Sequence, residues 1–143
     1  TFYKQYHEFL DIMIDSPVKM YNCSVAATGR PKSWWKITID KFLKMKQKST
    51  KVNIVFGIDG LRDTSSKHRI NQNFDEIWNN MIDCKNAGLN SIWQVIATSE
   101  NEHQINKIHQ IGEELSIPIR LVMSPRFKPN DKLKPRNLNL VWN

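Results

Sequence analysis

The chain has 143 residues, 40% of them hydrophobic, which is enough for one domain with a buried core and too few for two ordinary ones. Its formal charge of +7 favours anionic ligands or nucleic acid through long-range attraction. No run nears the roughly 18 apolar residues that a membrane span needs, and the first residues lack the basic-then-apolar order of a signal peptide, so a cytoplasmic protein with no membrane contact is expected.

Residues 1–14 place Phe2, Tyr6, Phe9 and Met13 three to four apart, which predicts an amphipathic helix ended by Ser16-Pro17. Residues 18–27, "VKMYNCSVAA", read as a strand that leaves through the turn "TGRP". From Ser33 the pattern is helical again, with Trp35, Ile39, Phe42 and Leu43 on one side and the lysines mostly on the other. "KVNIVFGI", residues 51–58, is β-branched and apolar and predicts a buried strand; residues 59–72 are expected to be polar and irregular.

Asn73 followed by Glu76 has the spacing of a capping box, and Phe74, Ile77, Trp78, Met81 and Ile82 form a helical stripe behind it. Gly88, in "NAGLN", can take the left-handed conformation that stops that helix. "SIWQVIAT", residues 91–98, predicts a third strand, and Ser99 with Glu102 a second capping box. Ile105, Ile108, Gly112 and Leu115 mark the inward face of the next helix, and "IPIRLVM", residues 117–123, a fourth strand. Beyond "SPRF" the chain turns basic and aperiodic. The division is a domain over residues 1–127 and a basic C-terminal tail or loop over 128–143.

The order α-β-α-β-α-β-α-β, with every connection long enough for a crossover helix, implies an α/β fold on a parallel sheet. Two closures fit: a doubly wound sheet, or about four strands of a partial TIM-like (βα) barrel. Both place ligand sites at the C-terminal ends of the strands. Four strands cannot close a barrel alone, so on the barrel reading the chain is a segment.

Four polar stretches leave those ends: "AATGR", "IDGLRDTSSKHR", "TSENEH" and "SPRF". Asp59 and Asp63 are candidates for cation binding or proton transfer, while Asp59 before Gly60 reads more readily as a turn-forming aspartate. His68 beside Arg69 is either an acid with an anion clamp or a solvated pair. His103 and His109, six apart, fall on different helical faces, which argues against a two-histidine metal site; His7 is isolated. Cys23 and Cys84 are too far apart for a local metal motif and read as small hydrophobes. Walker, GxGxxG, nucleophile-elbow and CxxC motifs are absent.

Set in order, "GRPKSWW" (residues 29–35), "VFGIDGLRDT" (55–64), "HR" (68–69), "NAGLNSIWQVI" (86–96) and "NEHQI" (101–105) resemble the radical S-adenosylmethionine family. The resemblance covers the middle and later part of its (βα) barrel core, over roughly residues 18 to 127. It implies that a [4Fe-4S] cluster reductively cleaves S-adenosylmethionine to a 5′-deoxyadenosyl radical, with the protein positioning the cofactor. It also implies that Asp59, Arg69, Gln94 and Asn101 face the cofactor at the strand ends, Arg69 being suited to a carboxylate because a guanidinium can bind one bidentately. The family's cluster cysteines come from a CxxxCxxC loop that this chain lacks, so the chain alone is not expected to hold the cluster. Gly57 stands where the family has a serine, and "VAATG" where it has a TNG-type exit.

The substrate is left as a peptide or small molecule. Two other functions stand beside this one. A basic α/β module would dock nucleic acid or a peptide through the five lysines between Lys41 and Lys51 and the six basic residues between Arg120 and Arg136. An inactive barrel fragment would serve as structure only.

Overall fold

A computed structural model describes residues 2–25, 30–137 and 139. Elements follow the predicted alternation: α1 (Phe2–Asp15), β1 (Met20–Val25), α2 (Lys32–Gln47), β2 (Lys51–Gly57), α3 (Arg62–His68), α4 (Phe74–Asn86), β3 (Asn90–Ile96), a 3-10 turn (Glu102–Gln104), α5 (Ile105–Leu115) and β4 (Ile119–Val122). One four-stranded sheet results, in the order β1-β2-β3-β4, parallel at every pair. The sheet is open, with β1 and β4 at its edges. Its first strand exit, "AATGR", falls at residues 26–29 outside the described residues, except for Arg30.

Each crossover helix forms where its apolar stripe can reach the sheet, and the stripes of α1, α2, α4 and α5 all reach the same face. Tyr6 of α1 lies 3.1 Å, oxygen to oxygen, from Tyr21 of β1. From α2, Phe42 packs on Tyr21 and Trp35 on Phe56. Trp78 of α4 meets Trp93 of β3 edge-on, with 5.1 Å between ring centres. Gly112 of α5 leaves room for Ile119 of β4, whose side chain would collide with a Cβ there. The core lies between these helices and this face: Phe42, Met45, Ile54, Phe56, Ile77, Met81, Trp93 and Ile108 are wholly buried.

The opposite face has no described helix against it. Register puts Asn22, Asn53 and Asn90 in one lateral row there. Asn53 Nδ2 donates to Asn22 Oδ1 at 2.8 Å and Asn90 Nδ2 to Asn53 Oδ1 at 2.6 Å, a ladder of side-chain amides across three strands.

The helix ends follow local chemistry. Asn73 Oδ1 accepts from the Glu76 amide at 3.2 Å, as its position predicts. The Glu76 carboxylate accepts from the Arg30 amide at 3.1 Å. Gly88, at φ +83°, makes the left-handed turn out of α4. The second predicted capping box does not form. Ser99 Oγ donates to Lys132 O at 2.7 Å, while Glu102 Oε2 accepts from the amides of Arg136 and Asn137 at 2.8 and 3.1 Å. The basic C-terminal stretch has neither helix nor strand through residue 137, yet those contacts dock it on the β3 exit, with Pro135 buried. No helix among the described residues is long and apolar enough to cross a membrane.

Phe42→Ala should cost about 3–5 kcal/mol in urea unfolding, as a fully buried aromatic leaves a cavity. Ile12→Ala, at a side chain 69% exposed, should stay within about 0.5 kcal/mol. Equal losses would contradict a core placed between the helices and one sheet face.

Candidate functional site

β2 ends at Gly57, and the chain is held by β3 for one residue more. Ile58 N donates to Gln94 O at 3.0 Å, and Trp93 Nε1 donates to Ile58 O at 2.8 Å. Asp59 comes next and is completely buried. Its Oδ1 accepts from the Ile96 amide at 2.8 Å, and its Oδ2 lies 2.7 Å from Arg69 Nε. Arg69 Nη2 reaches Oδ1 at 3.4 Å. Burying a carboxylate costs several kcal/mol, and a guanidinium together with a backbone N–H is the combination that offsets it. Asp59 therefore joins the ends of β2 and β3 to the residue after α3.

The chain then reverses at Gly60, whose φ of +116° disfavours any side chain; a Cβ would strike the Thr64 hydroxyl. Residues 59–72, expected to be irregular, contain the seven-residue helix α3. Its sequence, RDTSSKH, has no apolar stripe, so the helix is held by tertiary hydrogen bonds instead. Gln104, at the end of the 3-10 turn, supplies several of them, and Asp75, Gln72 and Glu100 supply others. Gln104 Oε1 accepts from Leu61 N at 2.9 Å and from Thr64 Oγ1 at 2.5 Å, and its Nε2 donates to Asp63 Oδ1 at 2.9 Å. Asp63, a candidate for cation binding, is thus engaged with a side-chain amide.

Arg69 lies flat across the end of β2. A Cβ on Gly57 would be 2.7 Å from Arg69 Nη2 and 3.0 Å from Cζ, so the missing side chain is what admits the guanidinium. The serine that the resembled family has at this position would displace it. Gln72 Nε2 donates to Gly57 O at 2.9 Å and closes the loop from behind.

The four residues singled out from sequence therefore fall in three settings. Asp59 and Arg69 form one ion pair. Asn101, 1% exposed, spends its amide on its own loop, with Oδ1 accepting from Thr98 N and Nδ2 donating to Ile96 O, both at 2.8 Å. It braces the β3 exit. Gln94 sits on the helix-free face, in register with Gly57 on one side and Arg120 on the other, and its side chain has no hydrogen bond among the described residues. "SPRF" forms its own turn, with Phe127 N donating to Ser124 O at 3.3 Å. His103 lies in the 3-10 turn and His109 in α5, and the His68 side chain lies outside the described residues.

The cysteines do not fit a [4Fe-4S] cluster, which takes three or more close thiolates. Cys84 is buried in α4, where burial pushes its thiol up to about 12. Cys23 is also raised by burial, and its sulfur lies 3.3 Å from the Tyr6 hydroxyl. Among the described residues, no group of three or more His, Cys, Asp or Glu could hold a metal ion. What the strand ends offer is a guanidinium and an amide on a face of the sheet that no described helix covers, a setting suited to an anionic or amide-bearing ligand. No protein-family model, curated protein or solved structure matches this chain.

Arg69→Met leaves a fully buried carboxylate without its guanidinium and should destabilise the fold by about 3 kcal/mol at neutral pH. Adding Asp59→Asn should recover much of that loss; additive losses in a double-mutant cycle would mean that the two groups are not energetically coupled. At pH 8, with its pKa near 12, Cys84 should resist iodoacetamide in the folded chain and label fully in denaturant, as read by mass spectrometry.

Proposed function

We propose that this chain is the cofactor- and substrate-facing sector of a radical S-adenosylmethionine-type (βα) barrel, and that its strand ends bind S-adenosylmethionine. The observation that carries the reading is Arg69 lying over Gly57 at the end of β2, beside Gln94. It stands at the segment that resembles the family's "FSIDGL-DT", and it offers a planar donor to the cofactor's amino-acid carboxylate. Gln94 adds a neutral donor and acceptor one strand away. Asp59 fixes the guanidinium, so its orientation is set before a ligand arrives.

The sheet supports a barrel sector in a second way. Strands in sequential order, with α1, α2, α4 and α5 meeting one face, are what a singly wound arc requires; a doubly wound sheet reverses its strand order at a switch point. A [4Fe-4S] cluster, when bound, supplies the electron that cleaves the cofactor. Its thiolates would have to come from outside this sequence. The basic-module reading is weakened because three of its lysines are already engaged: Lys41 with Asp11, Lys48 with Asp15, and Lys46 with Gly88 O.

The test is a titration of the isotope-labelled chain with S-adenosylmethionine, followed by amide and side-chain NMR. Saturable shifts should centre on Gly57, Gln94 and Arg69, and Gln94→Ala should weaken binding about fivefold or more, which is roughly 1 kcal/mol for one lost hydrogen bond. Absence of saturable shifts at these residues would sink the reading.

A further inference from the structure

We propose that Arg120 extends the Arg69–Gln94 pair into a row that binds an oxyanion, carboxylate or phosphate, of a small-molecule substrate. Register places Gly57, Gln94 and Arg120 side by side on β2, β3 and β4. Alternation along the strands turns all three positions to the face opposite the helices, and Arg69 occupies the space above Gly57. Neighbouring strands lie about 4.8 Å apart, so the two arginines flank Gln94 across about 10 Å. Both guanidinium groups can converge on one group of oxygens above the central amide.

Charge selects the ligand. The strand residues of this face are Met20, Asn22 and Ser24 on β1, Lys51, Asn53, Val55 and Gly57 on β2, Asn90, Ile92, Gln94 and Ile96 on β3, and Arg120 and Val122 on β4. None is acidic. The Arg120 side chain is exposed and has no ion pair or hydrogen bond among the described residues, and neither does the Gln94 side chain. Arg69 Nη2 donates to Asp59 Oδ1 at 3.4 Å, and Nε lies 2.7 Å from Oδ2 as an ion-pair contact. Asp59 balances the charge of Arg69, so Arg120 carries the row's uncompensated charge; with the Gln94 amide and the fixed guanidinium it is complementary to an anion with several acceptor oxygens. The asparagine ladder, two rows nearer the strand starts, satisfies its own amides and does not compete.

The inference rests on the strand-end rim being the ligand site, but it turns on Arg120, which the binding of S-adenosylmethionine described above does not use. The test titrates the labelled chain with malonate and, separately, with inorganic phosphate at about 0.15 M salt, where long-range attraction is largely screened. Saturable shifts are expected at Gly57, Gln94 and Arg120. Arg120→Gln should weaken binding about tenfold, and Lys44→Gln, an exposed lysine on α2, by less than about twofold. Tighter malonate binding would identify a carboxylate substrate and tighter phosphate binding a phosphorylated one. Shifts spread over the surface lysines, or equal losses in the two variants, would overturn the proposal. Binding of S-adenosylmethionine without either anion would overturn this inference alone; binding of the anions without S-adenosylmethionine would support it and count against the cofactor.

Discussion

The strand-end region depends on one buried charge. Asp59 has no solvent exposure, so the fold must hold a positive group against it at all times. Arg69 is that group, and its position dictates much around it. The chain between them must reverse within ten residues, which Gly60 permits by its backbone angle and α3 completes. The guanidinium must lie over β2, which Gly57 permits by having no side chain. The carboxylate's other oxygen takes the Ile96 amide, so the end of β3 is fixed by the same residue. Removing either glycine's freedom would act first on this ion pair and only then on the sheet.

The sheet divides its labour between faces. Phe56, Trp93 and Ile54 point to the helices and supply apolar burial, the dominant stabilising term. The asparagines, Gln94 and Arg120 point the other way. The ladder from Asn22 to Asn90 is a specificity device as much as a stabilising one, because it fixes the register of three parallel strands. A one-residue slip would break every amide pair and turn the hydrophobic residues to the wrong face. Register in turn brings Gly57, Gln94 and Arg120 into a single row.

Element order, the Asn73 cap and the Gly88 stop were legible because each is a local signal with a short-range cause. The helix α3 was not, since RDTSSKH carries no periodicity and owes its helical state to tertiary partners, among them Gln104, some forty positions away. Ser99 and Glu102 have capping-box spacing, but the Glu102 amide donates to Thr98 O, the Ser99 amide to Leu133 O, and the C-terminal stretch takes the Glu102 carboxylate. A pattern states what a side chain can do; competition among partners decides what it does. Asn101 and Gln104 show this most plainly. Both belong to "NEHQI", and sequence favoured the first as a ligand residue, whereas one braces its own loop and the other ties α3 to the β3 exit. The amide row and the asparagine ladder were hidden for a different reason, as both exist only once the strands are placed in register.

Charge is the property that the sequence overstates most. A net +7 suggests one broad basic surface, yet Lys41 and Lys48 face Asp11 and Asp15 of α1, and Lys46 reaches the end of α4. Those exposed pairs add little stability, but they spend charge that would otherwise act at a distance. Even the strongly basic C-terminal stretch contributes backbone amides rather than side-chain charge where it docks on Glu102. What is left in position to act on a ligand is local: a guanidinium fixed by Asp59, a neighbouring amide, and Arg120 two strands away. Such a set acts at hydrogen-bond range, where orientation matters more than total charge, and orientation is what the buried aspartate supplies.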